Sequence, residues 1–148
     1  MTASNSRRMY RLFDAELRYQ NGMPPVTKVE YAGELVGSGT GQIDGPRLRG
    51  TLRWSNFERS CSDHCQLTVA GTIETDDGAI IQFDSRGFAL PHSASVWKVA
   101  SAVHFVVDDP RYRWLQATPA IWEGEYDATT ATAQYRAYAP LPSGGDEA

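Results

Sequence analysis

The residues best suited to chemistry begin with three arginines in the segment GQIDGPRLRGTLRWSN, residues 41–56. Alternate side chains of an extended strand point to opposite faces, so Arg47, Arg49 and Arg53 share one face and the apolar residues between them share the other. A guanidinium group binds a carboxylate through two parallel hydrogen bonds. The question is therefore whether these arginines face water or hold an anionic ligand.

Alternation alone sends the arginines to the outer surface, because the apolar residues of the same strand must fill the core. Two glycines, Gly45 and Gly50, flank Arg47 and Arg49, and a bulge at a glycine turns a neighbouring side chain away from its regular direction. Arg49 lies between these glycines, so it is the arginine that we expect at the mouth of a cavity. Both orientations stay open on the sequence alone.

Three further residues could move a proton: Glu58, Tyr112 and His104. Glu58 follows the arginine strand, where a carboxylate could reach the mouth of a cavity, and Tyr112 could do so if its segment covers that cavity. His104 lies within the apolar run SAVHFVV, where a histidine is more often a core or interface residue than a catalyst. A dry cavity would shift the pKa of such groups and suit them to acid–base catalysis.

Aromatic residues are frequent, with four tryptophans and seven tyrosines in 148 residues. A pocket for a small molecule is usually lined by apolar and aromatic side chains. Each aromatic residue could instead simply fill the core, but together they favour a pocket for a flat ligand. The candidates for its wall are Trp54, Phe105, Trp122 and Tyr135.

The elements that position these residues are predicted to be β-strands. Runs rich in Val, Ile, Thr and aromatic residues are bounded by Gly, Pro, Asn or Asp, with no long helical period between them. The runs are MYRLFDAELRY, VTKVEYAGEL, GQIDGPRLRGTLRW, QLTVAGTIET, AIIQFDSRGFAL, VWKVASAVHFVV, TPAIWEGEYD and TATAQYRAYA. About eight antiparallel strands bury their edges most simply by closing into a barrel. We predict one all-β barrel domain, residues 9–140, with disordered ends at residues 1–8 and 141–148.

Two local patterns add detail to this barrel. The segment GTIETDDGAIIQF predicts a hairpin around Asp76, Asp77 and Gly78, in which the glycine takes a positive φ and Ile73 pairs with Ile81. In VVDDPRYRWLQ the Asp-Pro pair ends a strand, because proline cannot donate to the ladder. A short helical or turn plug is expected near residues 109–116, over one mouth of the barrel.

Composition excludes several classes of protein. The net charge of -4 argues against nucleic-acid binding, which needs a concentrated basic face. No apolar run approaches the roughly 20 residues of a membrane helix, and the first residues lack the apolar segment of a secretory signal. The sequence therefore predicts a cytoplasmic protein without a membrane or nucleic-acid partner.

The two cysteines, Cys61 and Cys65, occur together in CSDHC. Structural zinc sites usually have four ligands in two spaced pairs, and this sequence has no second pair. We expect no metal here but a loop with two reduced thiols, and a local disulfide is the alternative.

Four segments in order, GPRLRGTL, ETDDGAIIQF, SRG and DPRYRWL, resemble the bacterial family known as domain of unknown function 3237. The resemblance runs from about Tyr10 to Tyr138. It implies a lipocalin-like antiparallel β-barrel, often a homodimer, found largely around the catabolism of aromatic and other small organic compounds. Where such proteins have a proposed chemistry, it resembles cofactor-independent lyase, decarboxylase or isomerase activity on a ligand in the barrel.

The chain departs from many of these relatives in two places. They carry a glycine-rich turn after the arginine strand, where this chain reads RWSNFERSC, and an Asp-x-Arg pair where it has Thr68 and Ala70. If that pair lines the usual pocket, the polar groups of this pocket must come from elsewhere.

Two hypotheses follow. The first is a lyase or isomerase without cofactor, a decarboxylase included, acting on a small aromatic or terpenoid-like molecule. Arg49 would hold an anionic group and Glu58 or Tyr112 would move a proton. The second is a carrier of a small hydrophobic molecule, which needs the same pocket without acid–base groups. For both hypotheses we expect a homodimer and a small organic ligand, which is aromatic and could also be anionic.

Overall fold

The computed structural model describes residues 8–20, 34–60 and 63–140, without the side chains of residues 34–36 and 60. The strands are β1 Met9–Tyr19, β2 Glu34–Asp44, β3 Arg49–Ser60, β4 Cys65–Thr75, β5 Ile80–Pro91, β6 Val96–Val106, β7 Ala120–Asp127 and β8 Thr132–Pro140. Each strand pairs with the next one along the chain, and β8 pairs with β1, which closes the barrel. The predicted fold, an antiparallel barrel of eight strands, is confirmed. The predicted disordered ends, residues 1–8 and 141–148, lie outside the described residues except for Arg8.

Burial alternates along the strands, because one face of each strand lines the interior and the other faces solvent. In β6, for example, Trp97, Val99, Val103 and Phe105 are buried, and the residues between them are mostly exposed. The inner faces of the eight strands together form the hydrophobic core. The core therefore lies inside the barrel, and polar residues there stand out as candidates for function.

The predicted hairpin is confirmed in its register. Ile73 pairs with Ile81 across β4 and β5, and Gly78 has a φ of 93° in the turn between them. Glycine adopts this left-handed conformation without the steric cost that a Cβ would add. Sequence pattern and turn chemistry were sufficient here because the pairing is local.

One predicted strand is corrected. Residues 41–54 were expected to form a single strand, but β2 ends at Asp44 and β3 begins at Arg49. The connection contains Gly45 and Pro46, which favour a turn and cannot sustain a ladder. Residues 26–33 of the predicted strand VTKVEYAGEL lie outside the described part of the chain.

A 3-10 helix, Pro110–Ala117, lies between β6 and β7, and we call it the plug. Asp109 caps it by accepting a hydrogen bond from the backbone N–H of Arg111 at 2.9 Å. Leu115 is fully buried in the core, whereas Trp114 is half-buried, and the guanidinium carbon of Arg47 lies 3.7 Å from its ring centre. The predicted plug is present, and Leu115 is its buried anchor. We call this end of the barrel the plug end and the opposite end the distal end.

Asp77 joins the plug to the turn between β4 and β5. The Tyr112 hydroxyl donates to its carboxylate at 2.9 Å, and Arg111 Nη1 lies 3.3 Å from the same oxygen, Oδ2. Hydrogen bonds from the Thr75 hydroxyl and then from Tyr112 lower the pKa of Asp77. These contacts fasten the plug to the sheet.

Replacing Tyr112 with Phe is expected to lower the free energy of unfolding by about 1 kcal/mol, the net value of one hydrogen bond. Urea unfolding at pH 7 measures this loss. Tyr10→Phe is the matched control, because it removes the same atom from a half-buried ring on β1. Equal stabilities of the two variants would show that the Tyr112–Asp77 contact does not hold the plug.

Two further observations concern the described residues alone. Within residues 8–20, 34–60 and 63–140, no helix is long and apolar enough to cross a membrane. Cys65 is buried at the start of β4, and Cys61 lies outside the described residues.

Candidate functional site

Strand β3 carries a chain of polar side chains into the barrel. Trp54, Asn56 and Glu58 occupy alternate positions, so all three point inwards, and none is more than 5% exposed. The indole N–H of Trp54 donates to Asn56 Oδ1 at 3.1 Å, and Asn56 Nδ2 donates to Glu58 Oε2 at 2.9 Å. These two hydrogen bonds fix the orientation of the Glu58 carboxyl group.

Glu58 is completely buried, and its Oε1 has no hydrogen-bond partner among the described residues. Burial raises the pKa of Glu58 from 4.5 to about 8, because an ionised carboxylate loses its hydration inside the barrel. In the part of the chain that the structure describes, no Lys, Arg or His side chain is buried to compensate that charge. Glu58 is therefore mainly a neutral acid at pH 7, with about a tenth of the molecules ionised.

Three tyrosines surround Glu58 at the distal end: Tyr19, Tyr126 and Tyr135. The ring of Tyr19 packs edge-on against Trp54, with centroids 5.2 Å apart, and against Tyr126, with centroids 4.7 Å apart. Burial raises the pKa of all three, that of Tyr126 to about 12, and the charge of Glu58 raises each further. They are hydrogen-bond donors at neutral pH and not bases, and the Tyr126 hydroxyl has no partner among the described residues.

A glycine on the neighbouring strand makes room for this arrangement. Gly39 on β2 pairs with Tyr19 on one side and with Trp54 on the other. A Cβ at Gly39 would overlap the indole ring of Trp54. Because Gly39 has no side chain, the ring of Trp54 can lie across β2 and contact Tyr19.

Aromatic rings form the remaining wall of the interior. Trp122 lies with its ring centroid 5.5 Å from that of Phe83 and 5.6 Å from that of Tyr135. The four predicted wall residues are all inside the barrel and buried: Trp54, Phe105, Trp122 and Tyr135. Tyr135 lies beside Glu58 and Trp54 is hydrogen-bonded to Asn56, whereas Phe105 belongs to the half of β6 nearer the plug.

The structure places two predicted catalytic residues outside the barrel. Arg49 donates to Asp44 Oδ1 at 2.7 Å, and its side chain is 66% exposed. The side chain of His104 is 62% exposed and lies 3.8 Å from Asp84. The expectation that Arg49 reaches the lumen is therefore corrected: β2 and β3 pair in unbroken register without a bulge, so simple alternation sends Arg49 outwards.

The remaining two predicted catalytic residues are separated along the barrel axis. Glu58 lies within the lumen near the distal end, as described above. Tyr112 belongs to the plug and donates its hydroxyl hydrogen to Asp77. The two cannot act on the same substrate atom, so Glu58 alone of the four has the setting of a proton-transfer residue.

Three residues of the site were not predicted from the sequence: Asn56, Tyr19 and Tyr126. The signal for Asn56 was present, because WSNFE places it two residues from Trp54 on one side and from Glu58 on the other. Tyr126 shares the inward parity of Trp122 in the same way. The sequence alone does not say which face of each strand lies inside the barrel, so neither residue could be assigned to the site from it.

A separate groove of about 700 Å³ lies on the outer wall, across strands β5 to β8 and β1. Its rim carries ion pairs between neighbouring strands, among them Lys98–Glu125 at 3.1 Å and Arg136–Asp14 at 3.0 Å. The side chains of these four residues are about half exposed to solvent, whereas Glu58 is buried and its Oε1 has no hydrogen-bond partner among the described residues. We therefore place the candidate site in the lumen.

Solved structures with the same fold cover nearly the whole chain. A protein of unknown function from Clostridium acetobutylicum is 13% identical, with a TM-score of 0.75, and the match covers 90% of this chain and 99% of that one. A beta-barrel like protein from Acinetobacter baumannii is 16% identical, with a TM-score of 0.72 and coverages of 93% and 99%. An enzyme from Penicillium herquei is 18% identical, with a TM-score of 0.65 and coverages of 91% and 95%. These similarities support the fold alone.

Sequence comparison gives a match at the level of a family. No curated protein matches the chain significantly. Residues 25–139 match the model of a family described as a protein of unknown function, DUF3237. This range contains Glu58 and its hydrogen-bond partner Asn56.

Proposed function

The chain belongs to the DUF3237 family, and from that premise we propose that it is a lyase or isomerase without cofactor that acts on a small aromatic or terpenoid-like molecule inside the barrel. One observation carries the proposal: Glu58 is fully buried, oriented by Asn56 through Oε2, and unpartnered at Oε1. Burying a carboxyl group costs free energy. A buried carboxyl group that a neighbouring side chain orients is typical of a general acid or base.

The lumen favours an uncharged substrate. Apart from Glu58, which is mainly neutral at pH 7, the buried polar residues among those described are neutral: Asn56, Thr75, Ser85 and Ser101. With Arg49 on the outer surface, no described guanidinium is available to hold a carboxylate in the lumen. This argues for isomerisation or elimination on a neutral oxygenated molecule, and against decarboxylation of an anion.

The proposed isomerisation uses Glu58 in both of its forms. The carboxylic acid donates its proton through Oε1 to the carbonyl oxygen of the substrate, and a tyrosine hydroxyl such as that of Tyr126 orients the substrate by a hydrogen bond to an oxygen atom. The carboxylate that remains then removes a proton from an adjacent carbon, which restores the acid. No external oxidant, reductant or metal takes part in these two transfers.

The pH dependence of turnover tests this role. With acid-first isomerisation, kcat/KM is expected to be level below pH 8 and to fall about tenfold per pH unit above it, because the acid form is lost. An elimination that begins with the carboxylate gives the opposite profile, rising towards pH 8. Turnover of neutral aromatic ketones and enols, followed by ultraviolet absorbance because isomers have equal mass, supplies the rates. A profile without an inflection near pH 8 would contradict the role of Glu58.

The second candidate is a carrier of small hydrophobic molecules. The observation in its favour is that the tyrosines around Glu58 have raised pKa values and stay protonated, which leaves a single titrating group in the site. Saturable binding without turnover of any bound compound would favour the carrier. Homodimer formation and a cytoplasmic location stay predictions.

A further inference from the structure

Four buried side-chain atoms lack a hydrogen-bond partner among the described residues: Glu58 Oε1, the Tyr126 hydroxyl, Ser85 Oγ and Ser101 Oγ. Buried polar groups in folded proteins are almost always hydrogen-bonded, so each exception needs an explanation. Glu58 and Tyr126 belong to the site described above. Ser85 and Ser101 have no part in that site, and both are nearly inaccessible, at 1% and 4% exposure.

The two serines are neighbours on the inner wall. Ser101 on β6 pairs with Gly87 on β5, and Ser85 is two residues from Gly87 on the same face. Such diagonal partners have Cα atoms about 7–8 Å apart, so both hydroxyls can reach one ligand atom or two adjacent ones. Gly87 contributes no side chain between them, and a Cβ there would overlap Ser101 Oγ.

The serine pair faces the same lumen as Glu58. Across β3, β4 and β5 the register places Asn56 beside Val69 and Val69 beside Ser85. Two strand spacings of about 4.8 Å therefore separate the strand of Glu58 from that of Ser85. Val69 points inwards between them and is only partly buried, unlike Leu67 and Ile73 on the same face. The wall between the two polar clusters is thus not fully covered by packing.

We propose that Ser85 and Ser101 form a second polar subsite of the lumen, and that its ligand is a flat, uncharged molecule with an oxygen substituent at each of two ends. This inference rests on the proposed function, since it takes Glu58 and Tyr126 as the anchor for the first oxygen. A serine hydroxyl both donates and accepts, which suits a phenolic hydroxyl or a carbonyl group. The apolar side chain of Val69 lies between the two polar clusters and suits the ring that joins the two oxygen substituents of the ligand.

The test compares two compounds of nearly equal size, 4-hydroxyacetophenone and 4-methylacetophenone, by calorimetric titration at pH 6. The wild-type protein is expected to bind the hydroxyl compound about tenfold more tightly, the gain of a hydrogen bond to an otherwise unpartnered group. The double variant S85A/S101A is expected to lose this preference, because the ligand hydroxyl then enters an apolar wall. Ser55→Ala, on the exposed face of β3, is the matched control and should keep it.

The outcomes separate this inference from the proposed function, because binding is measured and not turnover. A preference that survives in S85A/S101A, or equal weakening of both compounds, would overturn the subsite and indicate hydroxyls satisfied by internal water or needed for packing. Absence of binding of both compounds to the wild-type protein would overturn it as well. Binding with the expected preference but without turnover of any compound would leave the subsite and remove only the catalytic role of Glu58.

Discussion

Glu58→Gln is expected to reduce turnover by about 10²- to 10⁴-fold, the usual contribution of a general acid or base. Glutamine keeps the size of the side chain and can still pair with Asn56, so the hydrogen bond at Oε2 does not have to be lost. What it removes is the transferable proton. A variant that folds normally and turns over at the wild-type rate would exclude Glu58 as the proton-transfer residue.

The same substitution is expected to stabilise the protein at neutral and alkaline pH. The pKa of Glu58 is about 8 in the folded protein and 4.5 in the absence of burial, so between these values the folded state binds one more proton than the unfolded chain. Stability therefore falls as pH rises from about 4.5 to 8 and is level above 8. At pH 7 the raised pKa of Glu58 lowers the free energy of unfolding by about 3 kcal/mol, and Glu58→Gln removes this loss.

Urea unfolding at pH 4.5 and pH 8 measures this effect. The variant and the wild type should differ little at pH 4.5, where Glu58 is protonated in the folded state and only half ionised in the unfolded chain, and differ at pH 8 in favour of the variant. Glu123→Gln is the matched control, because Glu123 is exposed and its replacement should leave the pH dependence of the wild type. Equal slopes for wild type and Glu58→Gln would contradict the raised pKa.

Trp122→Ala is expected to lower the free energy of unfolding by about 3–5 kcal/mol. The ring is 2% exposed and packs against Phe13, Phe83 and Tyr135, which come from strands β1, β5 and β8. Truncation removes the buried ring and leaves a cavity that a closed barrel of eight strands cannot easily collapse to fill. Since domains are stable by only about 5–15 kcal/mol, this is a large fraction of the total.

Chemical unfolding followed by circular dichroism measures that loss. Trp114→Ala on the plug is the matched control: the same atoms are removed from a half-buried position next to Arg47, with an expected cost of about 1 kcal/mol. A cost for Trp122→Ala no greater than that of Trp114→Ala would show that the interior is loosely packed around this ring.

The segment RWSNFERSC, residues 53–61, contains Glu58 and its partner Asn56. It lacks the glycine-rich turn that the family resemblance led us to expect there. In the structure most of this segment continues β3 as far as Ser60, and its alternate residues Asn56 and Glu58 enter the lumen. The segment without the expected turn therefore contains the polar centre of the candidate site.

Local pattern was enough to predict the class of fold, the β4–β5 hairpin and the plug. Period-two alternation and turn residues act between neighbours in the chain, so Ile73 could be paired with Ile81 and Asp109 placed before the plug without knowing the rest of the molecule. The same alternation favoured an outward Arg49. The expected bulge was the added assumption, and the continuous register of β2 and β3 contradicts it.

The candidate site depended on the closure of the barrel. Tyr19, Glu58 and Tyr126 are separated by tens of residues, and they meet with Tyr135 because β8 pairs with β1 and the inner faces of all strands share one interior. The raised pKa of Glu58 is likewise a property of that interior, since it arises from lost hydration and not from a neighbour in sequence. The sequence alone set the residue types and their alternation along each strand. Only the closure of the barrel determined which side chains share the same water-excluded interior.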